Sequence, residues 1–266
     1  MSHLLEPLDP KFILTSIAPR NRHYLRKLEI FDTIDSTNTH LLQKAKEDIS
    51  SGFLCLTDQQ TQGRGRFGKG WVSPPGANIY CSLFWRFAHL QHEISGLSMA
   101  VAVMIAKVLH QYGIKQGLQL KWPNDVLFLG KKLGGILLET NSPKTIVIGI
   151  GLNLYLPDDP LQPELAQAIS IYDIIKSAPE RNKLIGLLVN EMLEQLPVYE
   201  KKGLKAFIDD WRKYDVLMGK KITVHAQEKS IAGQMLGVNE RGELLLKDEA
   251  GLQQQFRCGE VSVREG

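Results

Sequence analysis

Residues 63–71 (GRGRFGKGW) set Arg64, Arg66 and Lys69 among four glycines. Glycine amides can turn toward a ligand with no Cβ in the way, and a guanidinium meets phosphate or carboxylate oxygens with a fixed fork of donors. The segment reads as a cradle for an anion, with a solvated basic loop as the plain alternative. Other polar groups stand where predicted strands end. Ser36, Thr37 and Asn38 offer hydroxyls and an amide at a helix start, suited to a neutral polar ring such as a urea, or simply to capping. Gln60 stands just before the basic loop, and its amide is either a ligand contact or solvated. Asn124 and Asp125 follow a Trp122-Pro123 turn, where a carboxylate can take a proton, hold magnesium or cap local amides. Lys132 sits at a hairpin turn before Gly134 and Gly135, and Gly149 and Gly151 interrupt a β-branched run ending near Asn153. Glycines inside strands weaken them unless a ligand or a second backbone comes close.

These groups need a scaffold, and the hydrophobic pattern predicts one. Strands are expected over 30–34, 53–57, 79–87, 118–122, 134–139 and 145–154, and a helix after Ser36 as N-cap. An apolar helix over 97–109 reads as buried against the sheet, and amphipathic helices are expected over 181–202 and around 204–214. Beyond Gly219 the texture changes to short alternating runs at 221–225, 231–238, 243–247, 254–257 and 261–264, a small β-barrel pattern. Residues 1–29, with Pro7, Pro10 and Pro19, read as a lead-in. The expected division is 1–29, 30–217 and 218–266.

Composition narrows the function. A net charge of +3 over 266 residues is slight, so no whole-molecule field argues for nucleic acid or membrane, and any cationic function must be local. Cys55, Cys81 and Cys258 are scattered without zinc spacing and read as reduced thiols. The N-terminus lacks the apolar core of a signal peptide and no run reads as long enough to span a bilayer, so a cytoplasmic location is expected. Gly63, Gly65 and Gly68 formally make GxGxxG, but no helix pattern opens after them, and GxxxxGK[ST] does not occur.

In order, GRGRFGKGW, KWPNDV (121–126), KKLGGILLE (131–139), GIGLNL (149–154) and the barrel-like tail resemble the biotin protein ligase family, from about residue 30 to the C-terminus. The resemblance implies an α+β fold: a mixed β-sheet catalytic domain of the biotin/lipoate ligase type with flanking helices, plus a small C-terminal SH3-like β-barrel. It implies an enzyme that activates biotin with ATP as biotinyl-5′-AMP, releases pyrophosphate, and passes biotin to a lysine of the biotin carboxyl carrier protein of acetyl-CoA carboxylase. Magnesium would come with ATP, with no tightly bound metal. The resemblance carries Ser36, Thr37, Asn38 and Gln60 to the ureido ring and its surroundings. Arg64, Gly65 and Arg66 become a loop closing over biotin and adenylate, Trp71 a wall of the site, and Lys132, with Gly134 beside it, the partner of the biotin carboxylate and later the adenylate. Asn124, Asn153 and Arg181 fall on the nucleotide side, and Asp125 is expected to help the acceptor lysine lose its proton. Arg66, Lys132 and Asp125 are thus the expected catalytic set.

Two departures stand out. Where some members cover adenine with a tryptophan, this chain has Ile169, Ser170 and Ile171, implying looser packing or an aliphatic cover. The stretch before residue 30 is too short and too proline-rich for the winged-helix repressor domain of other members. A lipoate or octanoate ligase is the nearest alternative, and a nucleic-acid adaptor using the Arg-rich loop is one from another class. Expected partners are biotin, ATP and the carrier domain, with a homodimer left open and neither DNA nor membrane. The purified chain is predicted to show no sequence-specific DNA binding at physiological salt in a mobility-shift assay, and a specific shifted complex would contradict this.

Overall fold

The computed structural model describes residues 6–90, 93–142, 144–157, 163–226, 229–258 and 261–265. Seven strands, β1 (Lys27–Ile34), β2 (Phe53–Gln60), β3 (Asn78–Arg86), β4 (Leu118–Lys121), β5 (Asp125–Phe128), β6 (Lys131–Ser142) and β7 (Thr145–Asn153), form one mixed sheet in the order β1-β2-β3-β7-β6-β5-β4. β1 runs parallel to β2, and the other neighbours are antiparallel. Among the described residues six α-helices accompany the sheet: α1 (Pro10–Thr15), α2 (Thr37–Lys44), α3 (Leu97–Gln111), α4 (Ile171–Ile175), α5 (Arg181–Lys202) and α6 (Ile208–Tyr214).

Side chains alternate across a strand, so β3, β7 and β6 present two different faces. One face carries Ile79, Cys81 and Leu83 beside Ile148, Ile150 and Leu152, all at most 3% exposed and all in the main core with α3. The other face carries three cross-strand rows: Tyr80–Gly151–Gly135, Ser82–Gly149–Leu137 and Phe84–Val147–Glu139. Helix α2 lies over this second face, started by Ser36, whose hydroxyl accepts from Thr39 N at 3.4 Å. Leu41 of α2 packs with Phe53, Cys55, Phe84 and Val147 in a small separate core. That core covers one end of the face and does not extend over the glycine rows.

Helix α3 is apolar on nearly all sides because it is enclosed on nearly all sides, by the sheet, α5 and α6. Contrary to the sequence expectation, the stretch Ile94–Gln111 is long and apolar enough by composition to cross a membrane, but 72% of it is buried within the fold. Such enclosure marks a core helix.

The lead-in does more than precede the first strand. Pro10 stands in the first turn of α1, where its missing N–H costs nothing, and Asp9 caps the turn by accepting from Lys11 N at 2.7 Å. Ile13 and Ile17 are fully buried. Gly186 of α5 makes room for them, since a Cβ there would lie 2.4 Å from Ile13 O. Asn182 Nδ2 donates to Pro7 O at 2.8 Å and Ala18 N donates to Asn190 Oδ1 at 2.9 Å, so the segment is strapped along α5.

The C-terminal part is an antiparallel sheet of five strands, β8 (Lys221–Ala226), β9 (Lys229–Val238), β10 (Leu244–Asp248), β11 (Gln253–Phe256) and β12 (Val261–Glu265), in the order β11-β10-β9-β8-β12. Among the described residues β11 and β12 are not paired with each other, so the strands of the expected barrel form a small sheet without closure. Its turn at 239–243 docks on the larger part: Trp122 Nε1 donates to Gly242 O at 3.0 Å, and Gly242 sits so close that a Cβ would meet Gly96 Cα at 2.8 Å.

Because Ile13 is core rather than tether, Ile13→Ala is predicted to lower the unfolding free energy by ~3 kcal/mol in urea titration. A loss below ~0.5 kcal/mol would show that the lead-in packs only loosely.

Candidate active site

A cavity of about 1050 Å³ opens on the glycine-row face of the sheet, beneath the loop 63–71. Ser36, Thr37, Asn38, Gln60, Arg64, Gly65, Arg66, Trp71, Asn124, Asp125, Lys132 and Asn153 all line it. Residues that are remote in sequence converge there because β2, β3, β5, β6 and β7 are neighbours in the sheet and α2 starts at its edge.

One end of the cavity is neutral and buried. Thr37 and Asn38 are each 3% exposed and Ser82 is fully buried. Ser82 Oγ donates to Asn38 Oδ1 at 2.6 Å and lies 2.7 Å from Thr37 Oγ1. Gln60 Oε1 accepts from Thr37 N at 3.0 Å and Gln60 Nε2 donates to Ser73 Oγ at 3.2 Å. The Gln60 amide therefore holds the start of α2 and the exit of the basic loop, besides lining the cavity. Gly149 makes this end possible, because a Cβ there would fall 2.3 Å from Asn38 Oδ1.

The other end is cationic. The basic loop is an ordered excursion: Gly65 N donates to Lys69 O at 2.7 Å, Trp71 N donates to Gly63 O at 2.9 Å, and Arg64 bridges to Gly70. Gly63 is required by close approach, since a Cβ would meet Trp71 O at 2.4 Å. The Arg64 guanidinium pairs with Glu139 at 2.8 Å. Arg66 reaches Asn124 Oδ1 at 3.4 Å and the carbonyl of Cys258, in the connection that follows β11, and its guanidinium lies 4.7 Å from the Phe67 ring centre. Burial pulls the Arg66 pKa below the usual guanidinium range, with Cys258 and Asp125 opposing that shift. Lys132 Nζ pairs with Asp125 Oδ1 at 2.7 Å and lies 5.5 Å from the Trp71 ring. The indole itself crosses the sheet over Gly135 and Gly151, so close that a Cβ at residue 151 would come within 2.5 Å of it.

Asn153 and Asn124 act mainly as braces. Asn153 Nδ2 donates to Lys132 O at 3.2 Å and Ile169 O at 3.3 Å, while Asn124 Nδ2 donates to Ile136 O at 2.7 Å. Both fix the turns that carry Lys132 and Asp125.

An unbroken polar end, a cationic end and an aromatic wall in one cavity have counterparts among known proteins. A model of the biotin/lipoate A/B protein ligase family matches residues 30–153. The bifunctional ligase/repressor BirA of Escherichia coli is 33% identical over 88% of this chain and 73% of its own. The chain belongs to the biotin protein ligase family. A biotin--[acetyl-CoA-carboxylase] ligase of Mycobacterium tuberculosis is 29% identical over 97% of this family member and 96% of its own length. The biotin protein ligase of Aquifex aeolicus, solved in complex with biotin and ATP, superposes with a TM-score of 0.79 at 26% identity, covering 91% of this chain and all of that one.

Two expected site residues of this ligase family member lie outside the cavity lining. Gly134 backs onto β7, where a Cβ would meet Gly151 O at 2.8 Å, and its neighbour Gly135 faces the cavity instead. Arg181 is 2% exposed, and its guanidinium is engaged by Asp58 at 2.5 Å and by Asn78 O at 3.1 Å. It locks the start of α5 to β2 and β3. The region given to the adenine cover also differs: Ile171 is fully buried and Ser170 caps α4 through Asp173, whereas Leu165 and Ala168 line the cavity.

Sequence reasoning missed Ser82, Glu139 and Cys258. Ser82 is a polar residue inside an apolar strand, and Glu139 follows Gly135 and Leu137 at period two, so both signals were present. Cys258 contributes through its backbone, for which side-chain chemistry gives no cue.

The indole's seat on Gly151 is testable. Gly151→Ala is predicted to displace Trp71, shifting tryptophan emission and costing ~1–3 kcal/mol of stability. Unchanged emission would place the indole elsewhere.

Proposed function

We propose that this chain is an ATP-dependent biotin protein ligase working in the cytoplasm on the carrier domain of acetyl-CoA carboxylase. The supporting observation is the two-ended cavity: a neutral, buried hydrogen-bonding end continuous with Arg64, Arg66 and Lys132. A ureido ring offers donors and an acceptor to the polar groups of Thr37 and Asn38 that line this end, whereas the dithiolane of lipoate or the tail of octanoate would take water from them and return no hydrogen bond, which costs binding energy. That favours biotin over the lipoate reading. The inward attachments of Arg64 and Arg66 likewise count against a nucleic-acid adaptor, whose cations must face a polymer.

In the proposed first step a biotin carboxylate oxygen attacks the α-phosphorus of ATP, and pyrophosphate departs with the bond's electrons. Two anions must meet, so Arg66 and Lys132 offset their repulsion and stabilise charge gathering on phosphorus. Magnesium arrives with the triphosphate. In the second step the acceptor lysine's neutral amine attacks the acyl carbon and AMP leaves. Asp125, 2.7 Å from Lys132 Nζ in the free protein, is placed to take the proton once Lys132 turns to the phosphate. Leu165 and Ala168 form the aliphatic side on which adenine packs. Arg66 bridges to the Cys258 carbonyl in the connection after β11, so the C-terminal part, read as the SH3-like unit at 218–266, helps hold the loop over the anhydride and exclude water.

The test is exchange of pyrophosphate into ATP. Exchange should depend on biotin, fall at least ~100-fold in Lys132→Ala, and show no dependence on lipoate or octanoate. Exchange driven by lipoate but not biotin would reverse the substrate assignment. Arg66→Gly should release biotinyl-5′-AMP and label lysines indiscriminately, and unchanged selectivity would count against retention by the loop.

A further inference from the structure

Glu139 is the charged member of a polar path that joins both ends of the basic loop through the cavity floor. Arg64 Nη2 donates to Glu139 Oε2 at 2.8 Å, and the same oxygen accepts from Asn38 Nδ2 at 2.9 Å. From Asn38 the path runs through Ser82, Thr37 and Gln60 to Ser73, whose hydroxyl donates to Trp71 O at 3.0 Å. A carboxylate can only accept, so Glu139, together with the Leu137 carbonyl 3.3 Å from the same Nδ2, admits one orientation of the Asn38 amide, with the NH₂ toward β6 and Oδ1 toward Ser82. Its negative charge meanwhile holds Arg64 against β6 rather than in solvent. Glu139 is about one-quarter exposed and Arg64 about two-fifths, so the pair is partly screened, yet its shared oxygen ties it to a side chain that is 3% exposed.

We propose that Glu139 is a positioning residue for the ligase reaction: with the Leu137 carbonyl it sets the Asn38 amide for the ring end of the substrate, and it anchors Arg64, so that ring recognition and the basic loop form one pre-arranged unit. This rests on the reading of the cavity as the biotin and adenylate site. Glu139 acts through Asn38 and Arg64 and itself takes no part in bond making. Position 139 shares the Phe84–Val147 row, one row beyond the glycines, which puts its carboxylate at the end of the cleared floor where α2 and the loop meet.

Glu139→Gln keeps size and an acceptor for Asn38 but loses the charge that holds Arg64. In pyrophosphate exchange it should raise the biotin KM about fivefold with kcat changed less than about twofold, because binding order rather than transition-state charge is lost. In an Arg64→Gln background the same substitution should have no further effect, whereas Glu139→Ala, which also removes the shorter of the two Asn38 Nδ2 acceptors and leaves only Leu137 O at 3.3 Å, should still raise KM. Equal effects of Glu139→Gln in both backgrounds, or a lowered biotin KM, would overturn the proposal. A second measurement needs no substrate. In the ligand-free protein, amides of 63–71 should exchange with deuterium faster in Glu139→Gln, and equally in Arg64→Gln, while those of β7 stay protected. Unchanged loop exchange in both variants would overturn the tether. If Arg64→Gln leaves KM untouched while loop exchange rises, the substrate assignment of the cavity fails and the tether stands.

Discussion

The site depends on a gap in the side-chain layer of one sheet face. Gly135, Gly149 and Gly151 fall on the same face of β6 and β7 because strand side chains alternate, and their rows lie side by side because the two strands are antiparallel in that register. The opposite face of the same strands carries Ile148, Ile150 and Leu152 into the core. One strand thus holds the fold together on one side and makes room for ligand on the other. A slip of one residue would exchange these faces, placing glycines in the core and isoleucines in the cavity.

What fills the gap is specified with equal tightness. Asn38 sits against Gly149, Trp71 lies over Gly151, and Gly63 lets the basic loop turn back on Trp71. Glycine in a strand costs local stability, and the stable surroundings offset it: a main core on one side, a satellite core under α2 on the other, and the lead-in strapped along α5. The cations reach the cavity on elements that are themselves braced. Lys132 is held by the Asn153 side chain on its carbonyl, and Arg66 by the Cys258 carbonyl after β11. Preorganisation of this kind leaves less to be ordered when two anions are brought together.

Much of this was legible in the sequence, and the exceptions share a cause. Helix α5 spans the residues its apolar periodicity predicts, and Ser36 caps α2 as its type suggests. The glycines of β7 pointed to a close approach, which proved to be Asn38 and Trp71. Helix α1 was missed because six residues show no helical period, and its burial comes from Gly186, far along the chain. Arg181, expected on the nucleotide side, lies outside the cavity lining, because sequence shows a charge without its neighbours and here Asp58 and three carbonyls engage it. The alternation of β8 to β12 was readable strand by strand, but closure of a barrel is a long-range pairing that alternation does not encode. Glu139 looked like the end of an apolar strand until the sheet set it beside Asn38 and Arg64.

The most direct measurement of the central claim, that the glycine-cleared face receives biotin and its adenylate, is a crystal structure with a non-hydrolysable biotinyl-adenylate analogue. The ureido ring should lie within hydrogen-bond reach of Thr37 and Asn38 over Gly149, with the acyl-phosphate beside Arg66 and Lys132 and Trp71 along its flank. An analogue bound outside this face, or reversed so that adenine occupies the Thr37–Asn38 end, would contradict it.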